Sequence, residues 1–493
     1  MANSHLRPPA ARSMGKPSAK GLSSSNRWAT LAMLEEDESV LQRDWLSNLP
    51  DDLLLDIIER LDVADAMRTS ILSTRWKLIP TMLSKIHIIV GSTDNVQDRT
   101  CDAARANAYV LGATRSLLES RSTSPYTIHR LCMQFFLGDA SIRIGQTVAK
   151  TMATQKVACA ELTVLTEMEF KRCDEVANGK QFASFFNACP NTFSCLSRLK
   201  LENLRLGESD FFPKLLRLCE RLEFLRLDSC DMGYMSLLAV EHPRLHEIEI
   251  LWCDFERVDL NWLPELTMLT FSCLNYLHYP LSFGYVPLLH KASISIVARP
   301  EHEMLKLSEF LGKATISNLC LGFGREKIWV KPEDLGELSQ VFSKLRLVHL
   351  TAISDECDLT WTMFVLQGAP SLEELGIRVC NCSGISDEDN NNSERKDAGA
   401  KWEASDFKHR NLYVLRIFGF QSEDKFVDYA KAVMKAAVNL EDIYLHEKPA
   451  CKVGCGYIPR QGDRYPRSRR EKFLVRDILG MHMRPFLRLY FVL

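Results

Sequence analysis

The chain has 493 residues, which is room for about three domains or one long repeat array. Its 61 basic and 63 acidic residues leave a formal net charge of −2, so electrostatics gives no reason to expect nucleic acid or an anionic membrane as the main partner. A hydrophobic fraction of 46% and a charged fraction of 25% are typical of a globular chain and exclude a wholly disordered or fibrous one.

No apolar run reaches the ~20 residues of a membrane-spanning helix, and the chain opens without the apolar core of a secretory signal peptide. Its 16 cysteines are therefore expected to be reduced thiols, most of them buried as small apolar side chains. We expect the protein in the nucleus and/or the cytoplasm.

Residues 1–43 are predicted to be a disordered lead-in. Residues 1–34 contain no acid and many Ser, Ala and Pro, and a short acidic run follows at 35–38. An organelle transit peptide has a similar composition and stays open as the alternative. The sequence shows no clear amphipathic basic helix, which favours disorder.

Residues 44–84 change character and predict three short helices. The apolar positions within Leu53–Leu61 form one stripe of the first helix, and Asp51 and Asp52 place negative charge at its positive end. Two further helical segments follow before Pro80. Three short helices cannot bury a self-sufficient core, so part of this apolar surface is expected to contact another protein.

An apolar-x-x-apolar-x-apolar triplet dominates the chain from residue 128 to 445. From Leu201 onward most copies follow one another at intervals of 21–29 residues, the period of leucine-rich repeats. Such units bury their apolar faces only by stacking, which predicts a curved leucine-rich-repeat solenoid over residues 85–450. The copies are Ile128/Leu131/Met133, Leu196/Leu199/Leu201, Leu222/Leu225/Leu227, Leu245/Ile248/Ile250, Leu266/Leu269/Phe271, Leu289/Ala292/Ile294, Ile316/Leu319/Leu321, Leu345/Val348/Leu350, Leu372/Leu375/Ile377, Leu412/Leu415/Ile417 and Leu440/Ile443/Leu445.

Several segments interrupt or extend this pattern. Cys230, Cys253 and Cys380 each follow a triplet by three residues, where the repeat turns a small side chain inward. One interval of 40 residues contains a polar stretch at 386–397, which predicts a disordered insert. Residues 134–195 are expected to hold one or two repeats without a clear register.

The last segment, residues 451–493, is interpreted as a basic C-terminal tail. It contains seven basic residues between Arg460 and Arg476, which fits either a nuclear localisation signal or a solvated tail.

The sequence lacks the motifs that carry common enzyme chemistry. It has no phosphate-binding loop, no Gly-x-Ser-x-Gly and no His-Glu-x-x-His, so we expect no catalytic residues and no cofactor. His446, Cys451 and Cys455 lie close together, but structural zinc needs four ligands. Ordinary thiols, and no metal, are therefore expected.

The segment 44–84 resembles an F-box. That family's Leu-Pro start, leucine-rich first helix, Ser-x-Leu-Ser-like turn and Arg-Trp pair stand here as Leu49-Pro50, Leu53 to Leu61, Ser70-Ile-Leu-Ser73 and Arg75-Trp76. Residues 408–447 are similar to the FBD region found at the carboxyl end of some F-box proteins. Together with the repeats, these features resemble the plant F-box/leucine-rich-repeat family, and the fold class implied is α/β: a three-helix F-box followed by a repeat solenoid.

The resemblance implies a non-catalytic, substrate-recognition subunit of an SCF-type cullin-RING ubiquitin ligase. The F-box would bind a Skp-type adaptor, and the repeats would hold the protein to be ubiquitinated. A non-ligase F-box scaffold and a leucine-rich-repeat small-molecule sensor remain as alternatives. For Trp76, packing within the chain is the competing interpretation. By position, adaptor binding would be carried by Leu49, Pro50, Leu53, Leu54, Ile57, Leu61 and Trp76.

Overall fold

The structure is a computed structural model. It describes residues 49–493 except 62, 91–102, 120, 122–125, 168–171, 208–209, 234–235, 275, 277, 299–301, 313, 325–327, 332, 356, 381–406 and 448–463. The predicted lead-in at 1–43 and the predicted insert at 386–397 lie outside the described residues.

Three short helices open the described chain, as the sequence predicts. They are α1 (Asp51–Ile58), α2 (Val63–Arg68) and α3 (Thr74–Leu78), with 3₁₀ turns at Thr69–Ile71 and Ile79–Met82. The Ser73 side chain accepts a hydrogen bond from the Trp76 backbone N–H at 3.3 Å and caps α3. The chain then enters the first strand, β1 (Lys85–Ile88).

Fourteen parallel strands follow one another in a single sheet, which confirms the α/β fold class. Their spatial order follows their order along the chain, and the numbers 6, 8 and 10 belong to strands of a second sheet described below. After β1 they are β2 (Ile128–Phe136), β3 (Val157–Leu165), β4 (Arg198–Glu202), β5 (Phe224–Asp228), β7 (Glu247–Leu251), β9 (Met268–Cys273), β11 (Lys291–Ile296), β12 (Asn318–Gly322), β13 (Leu347–Ser354), β14 (Glu374–Cys380), β15 (Val414–Phe418), β16 (Asp442–His446) and β17 (Arg488–Val492).

Helices return the chain between most strands. They are α4 (Ala103–Thr114), continued by a π turn at Arg115–Glu119, then α5 (Ser141–Thr154), α6 (Arg172–Ala188), α7 (Pro190–Phe193), α8 (Phe211–Leu218), α9 (Leu307–Leu311), α10 (Leu335–Phe342), α11 (Met363–Gly368), α12 (Asp424–Ala436) and α13 (Arg469–Ile478). Short 3₁₀ turns lie at Thr360–Thr362 and Met481–Met483. No helix in the described ranges is long and apolar enough to cross a membrane.

Each of the eleven predicted triplets runs into a strand of this sheet. Its last two members lie on the strand, and from β4 onward they align across neighbours, as Leu199 does with Leu225 and Leu225 with Ile248. These apolar side chains are buried in one continuous core. The side chains that alternate with them are half-buried and form the opposite surface of the sheet, called here the open face.

Three repeats return through strands instead of helices. The strands β6 (Ser236–Glu241), β8 (Phe255–Trp262) and β10 (Leu281–Tyr285) form a second parallel sheet of three, in the order β10-β8-β6. They lie in the shortest intervals, the 21–23 residues between Leu227 and Ile294. An extended strand spans more distance per residue than a helix does, so short returns favour strands. The triplet pattern alone did not predict this second sheet.

The turns after the strands place small side chains in the core. Ser229 and Trp252 adopt φ of 53° and 54°, and the residue that follows each of them is a buried cysteine. The Cys230 thiol lies 3.7 Å from the Leu201 carbonyl oxygen, and the Cys253 thiol lies 3.6 Å from that of Leu227. The predicted inward position of these thiols is confirmed, and Cys380 is buried as well.

The carboxyl end differs from the basic tail expected from residue 451. Residues 464–493 form α13 and β17, and β17 pairs with β16 as one more strand. Ser468 and Glu471 form a capping box at the start of α13, a signal that is visible in the sequence as Ser-x-x-Glu. The many basic residues obscured the apolar positions of this unit, of which Val475 is buried.

Candidate interaction surfaces

Helix α1 divides its apolar stripe between the core and the surface. Pro50 precedes the helix, and Asp51 and Asp52 occupy its first turn, where negative charge is favourable. Leu54 and Ile58 point inward and are fully buried. The remaining members of the stripe are exposed: Leu53 by 48%, Ile57 by 36% and Leu61 by 39%.

Two further apolar side chains are exposed in the turn between α2 and α3. Ile71 is exposed by 84% and Leu72 by 59%. They are not among the adaptor-binding residues predicted from the sequence, although they form the centre of the Ser70-Ile-Leu-Ser73 turn. We call Leu53, Ile57, Leu61, Ile71 and Leu72 the helical apolar patch.

Two candidate residues are buried instead of exposed. Leu54 is inaccessible, and Trp76 is 3% exposed, within the same hydrophobic core as Ile79. Their role is to hold the helices together, which corrects their proposed direct contact with an adaptor. Of the other candidates, Leu49 is half-buried and Pro50 is exposed.

An ion pair braces α3 against the start of α1. Arg75 donates from Nε to Asp51 Oδ1 at 2.9 Å and from Nη2 to the same oxygen at 2.6 Å. Arg75 Nη2 also donates to the Leu49 carbonyl oxygen. These contacts connect α3 to the start of α1, beside the apolar patch.

The open face carries a buried carboxylate near its amino-terminal end. Glu161 on β3 accepts hydrogen bonds from Arg130 on β2 at 2.8 Å and from Lys200 on β4 at 3.1 Å. Burial raises the pKa of Glu161, but these cations outweigh it and lower the pKa to about 2. The carboxylate therefore joins three neighbouring strands.

A second carboxylate joins strands near the other end of the open face. Glu374 Oε1 on β14 lies 3.2 Å from His349 Nε2 on β13 and 2.9 Å from Arg416 Nε on β15. The hydrogen bond with His349 lowers the pKa of Glu374, and Arg416 acts in the same direction against burial. Both carboxylates therefore connect side chains of three neighbouring strands on the open face.

Two of the described cysteines are poorly suited to nucleophilic chemistry. Burial raises the pKa of Cys132 to about 11 and that of Cys219 to about 12, so these thiols are protonated at neutral pH and poor nucleophiles. Within the described ranges no three His, Cys, Asp or Glu side chains lie close enough to hold a metal ion. Cys451 and Cys455, considered above beside His446, lie outside those ranges.

Two family models match the chain. The model described as At1g61320/AtMIF1, LRR domain, matches residues 182–464. The F-box domain model matches residues 46–87. The first covers the repeats from within α6 to just beyond β16, and the second covers α1 to α3 with the start of β1.

Curated proteins of Arabidopsis thaliana are similar over longer stretches. The putative F-box/FBD/LRR-repeat protein At5g56810 is 23% identical over 356 residues, covering 69% of this chain and 76% of that protein. The F-box/LRR-repeat protein At3g59190 is 23% identical over 376 residues, covering 68% of this chain and 93% of that protein. The F-box protein At1g80960 is 34% identical over 246 residues, covering 46% of this chain and 49% of that protein.

Among solved structures, a chain in the crystal structure of the yeast Rad7 and Elc1 complex aligns with 95% of this chain and 98% of its own length. The sequence identity is 12% and the TM-score is 0.33. No conclusion about this chain rests on that alignment.

Proposed function

Because this chain belongs to the plant F-box/leucine-rich-repeat family, we propose that it is the substrate-recognition subunit of an SCF-type cullin-RING ubiquitin ligase. In this proposal the F-box binds a Skp-type adaptor, and the leucine-rich repeats bind the target protein. Another subunit performs the ubiquitin transfer. The chain acts by holding the target near the reacting groups, which raises their effective concentration.

The helical apolar patch is the observation that carries this proposal. Its five large apolar side chains are exposed on one short helical segment, in which an ion pair joins Arg75 of α3 to Asp51 of α1. Exposed large apolar side chains that are grouped in one short segment mark a protein-interaction site. Among the candidates from the sequence, we keep Leu53, Ile57 and Leu61 as direct contacts, with Leu49 and Pro50 at the edge of the surface.

The open face supplies a separate surface for the target. It extends over fourteen strands, whereas the apolar patch precedes β1. Target and adaptor therefore bind different parts of the chain. This separation is what a recognition subunit requires, because both partners must be held at the same time.

Binding of the full-length chain to a purified Skp-type adaptor tests the proposal. The key variant is the double substitution Leu53→Asp and Ile57→Asp, which places two charges in the apolar patch. The matched control is Leu237→Asp and Leu288→Asp, since both of these leucines are about as exposed as Leu53 but lie beyond the F-box. Circular dichroism on all three proteins verifies that the fold is retained.

We expect the wild type and the control to bind, and the patch variant to lose more than about 100-fold in affinity, because an unpaired buried charge costs about 3–5 kcal/mol. A folded wild-type chain that binds no Skp-type adaptor would contradict the proposal. Equal binding by the patch variant and the control would show that the apolar patch is not the adaptor site.

A further inference from the structure

The carboxyl-terminal end of the open face carries a row of stacked groups. Arg378 on β14, Phe418 on β15 and His446 on β16 are in register across the three strands. The Arg378 guanidinium carbon lies 4.9 Å from the centre of the Phe418 ring. The Phe418 and His446 rings stack with their centres 4.2 Å apart.

A second row runs beside the first, displaced by two residues along each strand. Arg416 on β15 lies over the ring of Tyr444 on β16 at 4.2 Å. Tyr444 stacks on Tyr490 of β17 with ring centres 4.7 Å apart. The two rows, composed of Arg378, Phe418, His446, Arg416, Tyr444 and Tyr490, are called here the aromatic platform.

The charges of the platform are not balanced. Arg416 is paired with Glu374, but Arg378 has no carboxylate partner among the described residues. Arg378 Nε and His446 Nε2 are both buried without a hydrogen-bond partner. A buried polar atom without a hydrogen-bond partner costs free energy, and a ligand group that bonds to it would recover that cost.

The surrounding charges also favour an anion. Burial lowers the pKa of His446, and the neighbouring Arg416 and Arg378 lower it further, which reports a positive potential at the platform. One uncompensated guanidinium matches the charge of one carboxylate, with which it forms a paired, two-pronged contact. Nucleic acid does not fit, because its binding depends on many phosphate contacts to clustered cations.

We propose that the aromatic platform binds an acidic segment of the target protein, whose carboxylate accepts hydrogen bonds from Arg378 and His446. Apolar atoms next to that carboxylate lie against Phe418, Tyr444 and Tyr490, whose flat rings supply contact area at low cost in conformational entropy. The assignment of this segment to a ubiquitination target rests on the proposed function. The binding of an acidic peptide does not.

Fluorescence anisotropy with a labelled peptide of repeated Glu-Phe-Gly triplets tests the proposal on the full-length chain. The matched peptide carries Gln in place of Glu and differs only in charge. The variant Arg378→Gln removes the unpaired guanidinium without breaking an ion pair. The control Arg143→Gln removes an exposed arginine from α5, on a helix that is not part of the open face.

The wild type and the Arg143→Gln control should bind the Glu peptide about tenfold or more tightly than the Gln peptide. The Arg378→Gln variant should lose that preference. A second variant, His446→Phe, keeps a ring for stacking but removes the donor, and it should weaken binding of the Glu peptide only. Equal affinity for both peptides, or an Arg378→Gln variant that behaves like the control, would overturn the proposal.

The same proteins in the adaptor assay separate this inference from the proposed function. Arg378→Gln should bind the Skp-type adaptor as the wild type does, and the Leu53→Asp/Ile57→Asp variant should bind the Glu peptide as the wild type does. A wild-type chain that binds the adaptor but shows no preference for the Glu peptide refutes only the platform proposal. A wild-type chain that prefers the Glu peptide but binds no adaptor refutes only the ligase assignment.

Discussion

The imidazole ring of His349 fills the space that a side chain at Gly376 would need. A Cβ placed on Gly376 would lie 2.4 Å from His349 Cδ2, and the two residues are paired on neighbouring strands. The missing side chain lets His349 reach across to Glu374, two residues before Gly376. A glycine in a strand interior thus marks the close approach of another group.

The substitution Gly376→Ala should therefore destabilise the fold. The new methyl group must displace His349 from Glu374, and overpacking of this kind costs about 1–3 kcal/mol. The control is Gly112→Ala on helix α4, where a Cβ meets nothing within 4 Å, so the change should add about 0.5–1 kcal/mol of stability. Urea unfolding of both variants measures the two effects. An unchanged or raised stability for Gly376→Ala would contradict the finding that His349 occupies the space beside Gly376.

Neighbouring leucines on α1 should respond differently to substitution. Leu54→Ala should lower the free energy of unfolding by about 2–5 kcal/mol, because Leu54 is fully buried. Leu53→Ala should leave stability within about 0.5 kcal/mol and should weaken adaptor binding instead. Thermal unfolding and adaptor affinity, measured on both variants, check this division. Two similar stability losses would mean that Leu53 belongs to the core.

The exposed turn residue Ile71 provides an independent check of the helical apolar patch. Its side chain is mostly outside the core, so Ile71→Ala should preserve stability while reducing adaptor affinity about tenfold or more. Thr74→Ala on the exposed side of α3 serves as the control and should bind normally. Normal adaptor binding by folded Ile71→Ala would remove this turn from the proposed contact surface.

Removal of residues 464–493 should destabilise the repeat array. The buried Tyr465 hydroxyl lies 3.0 Å from the Leu445 carbonyl oxygen, and β17 covers the edge of β16. Without this unit, β16 becomes an exposed edge, which promotes aggregation. Deletion of residues 1–43, predicted to be a disordered lead-in, should leave the melting temperature unchanged. If the chain without residues 464–493 is as stable and as soluble as the wild type, these residues act as a basic tail and not as part of the repeat array.

The stabilising effect of Glu161 should depend on pH. Because the pKa of its carboxyl is lowered to about 2 in the folded chain, the ionised form stabilises the fold above the ordinary carboxyl pKa near 4.5, and this contribution is lost as the pH falls toward 2. Glu161→Gln should cost about 1–3 kcal/mol at pH 7. The difference from the wild type should be constant above about pH 5 and should shrink below it.

Urea unfolding from pH 7 down to pH 3 measures this dependence. Glu223→Gln is the control, because the ion pair of the Glu223 side chain with Arg244, at 3.5 Å, is exposed and such a pair is worth little. A stability difference for Glu161→Gln that does not change with pH would show that the loss comes from packing and not from charge.

The triplet pattern predicted strand positions well because it records a physical requirement on each repeat. A strand in a stacked repeat must present apolar side chains to the core at alternate positions, and all eleven triplets meet it. None of the eleven triplets marks β1, β17 or the strands of the second sheet, and β3 lies in residues 134–195, where one or two repeats were expected without a clear register. β17 has the same alternation in Leu489, which is buried, but it follows the basic stretch at 460–476, which favoured the interpretation as a tail.

The sequence by itself determined the α/β repeat array and the three helices before it, because alternating and helical apolar spacings each have one stable way to be buried. It could not separate Leu53 from Leu54, since both lie on one apolar stripe and only the packing of α1 decides which one faces the core. The pairing of Glu374 with His349, and the rows of the aromatic platform, were equally beyond it. These contacts join residues that are distant in the chain, and only the register between neighbouring strands brings them together.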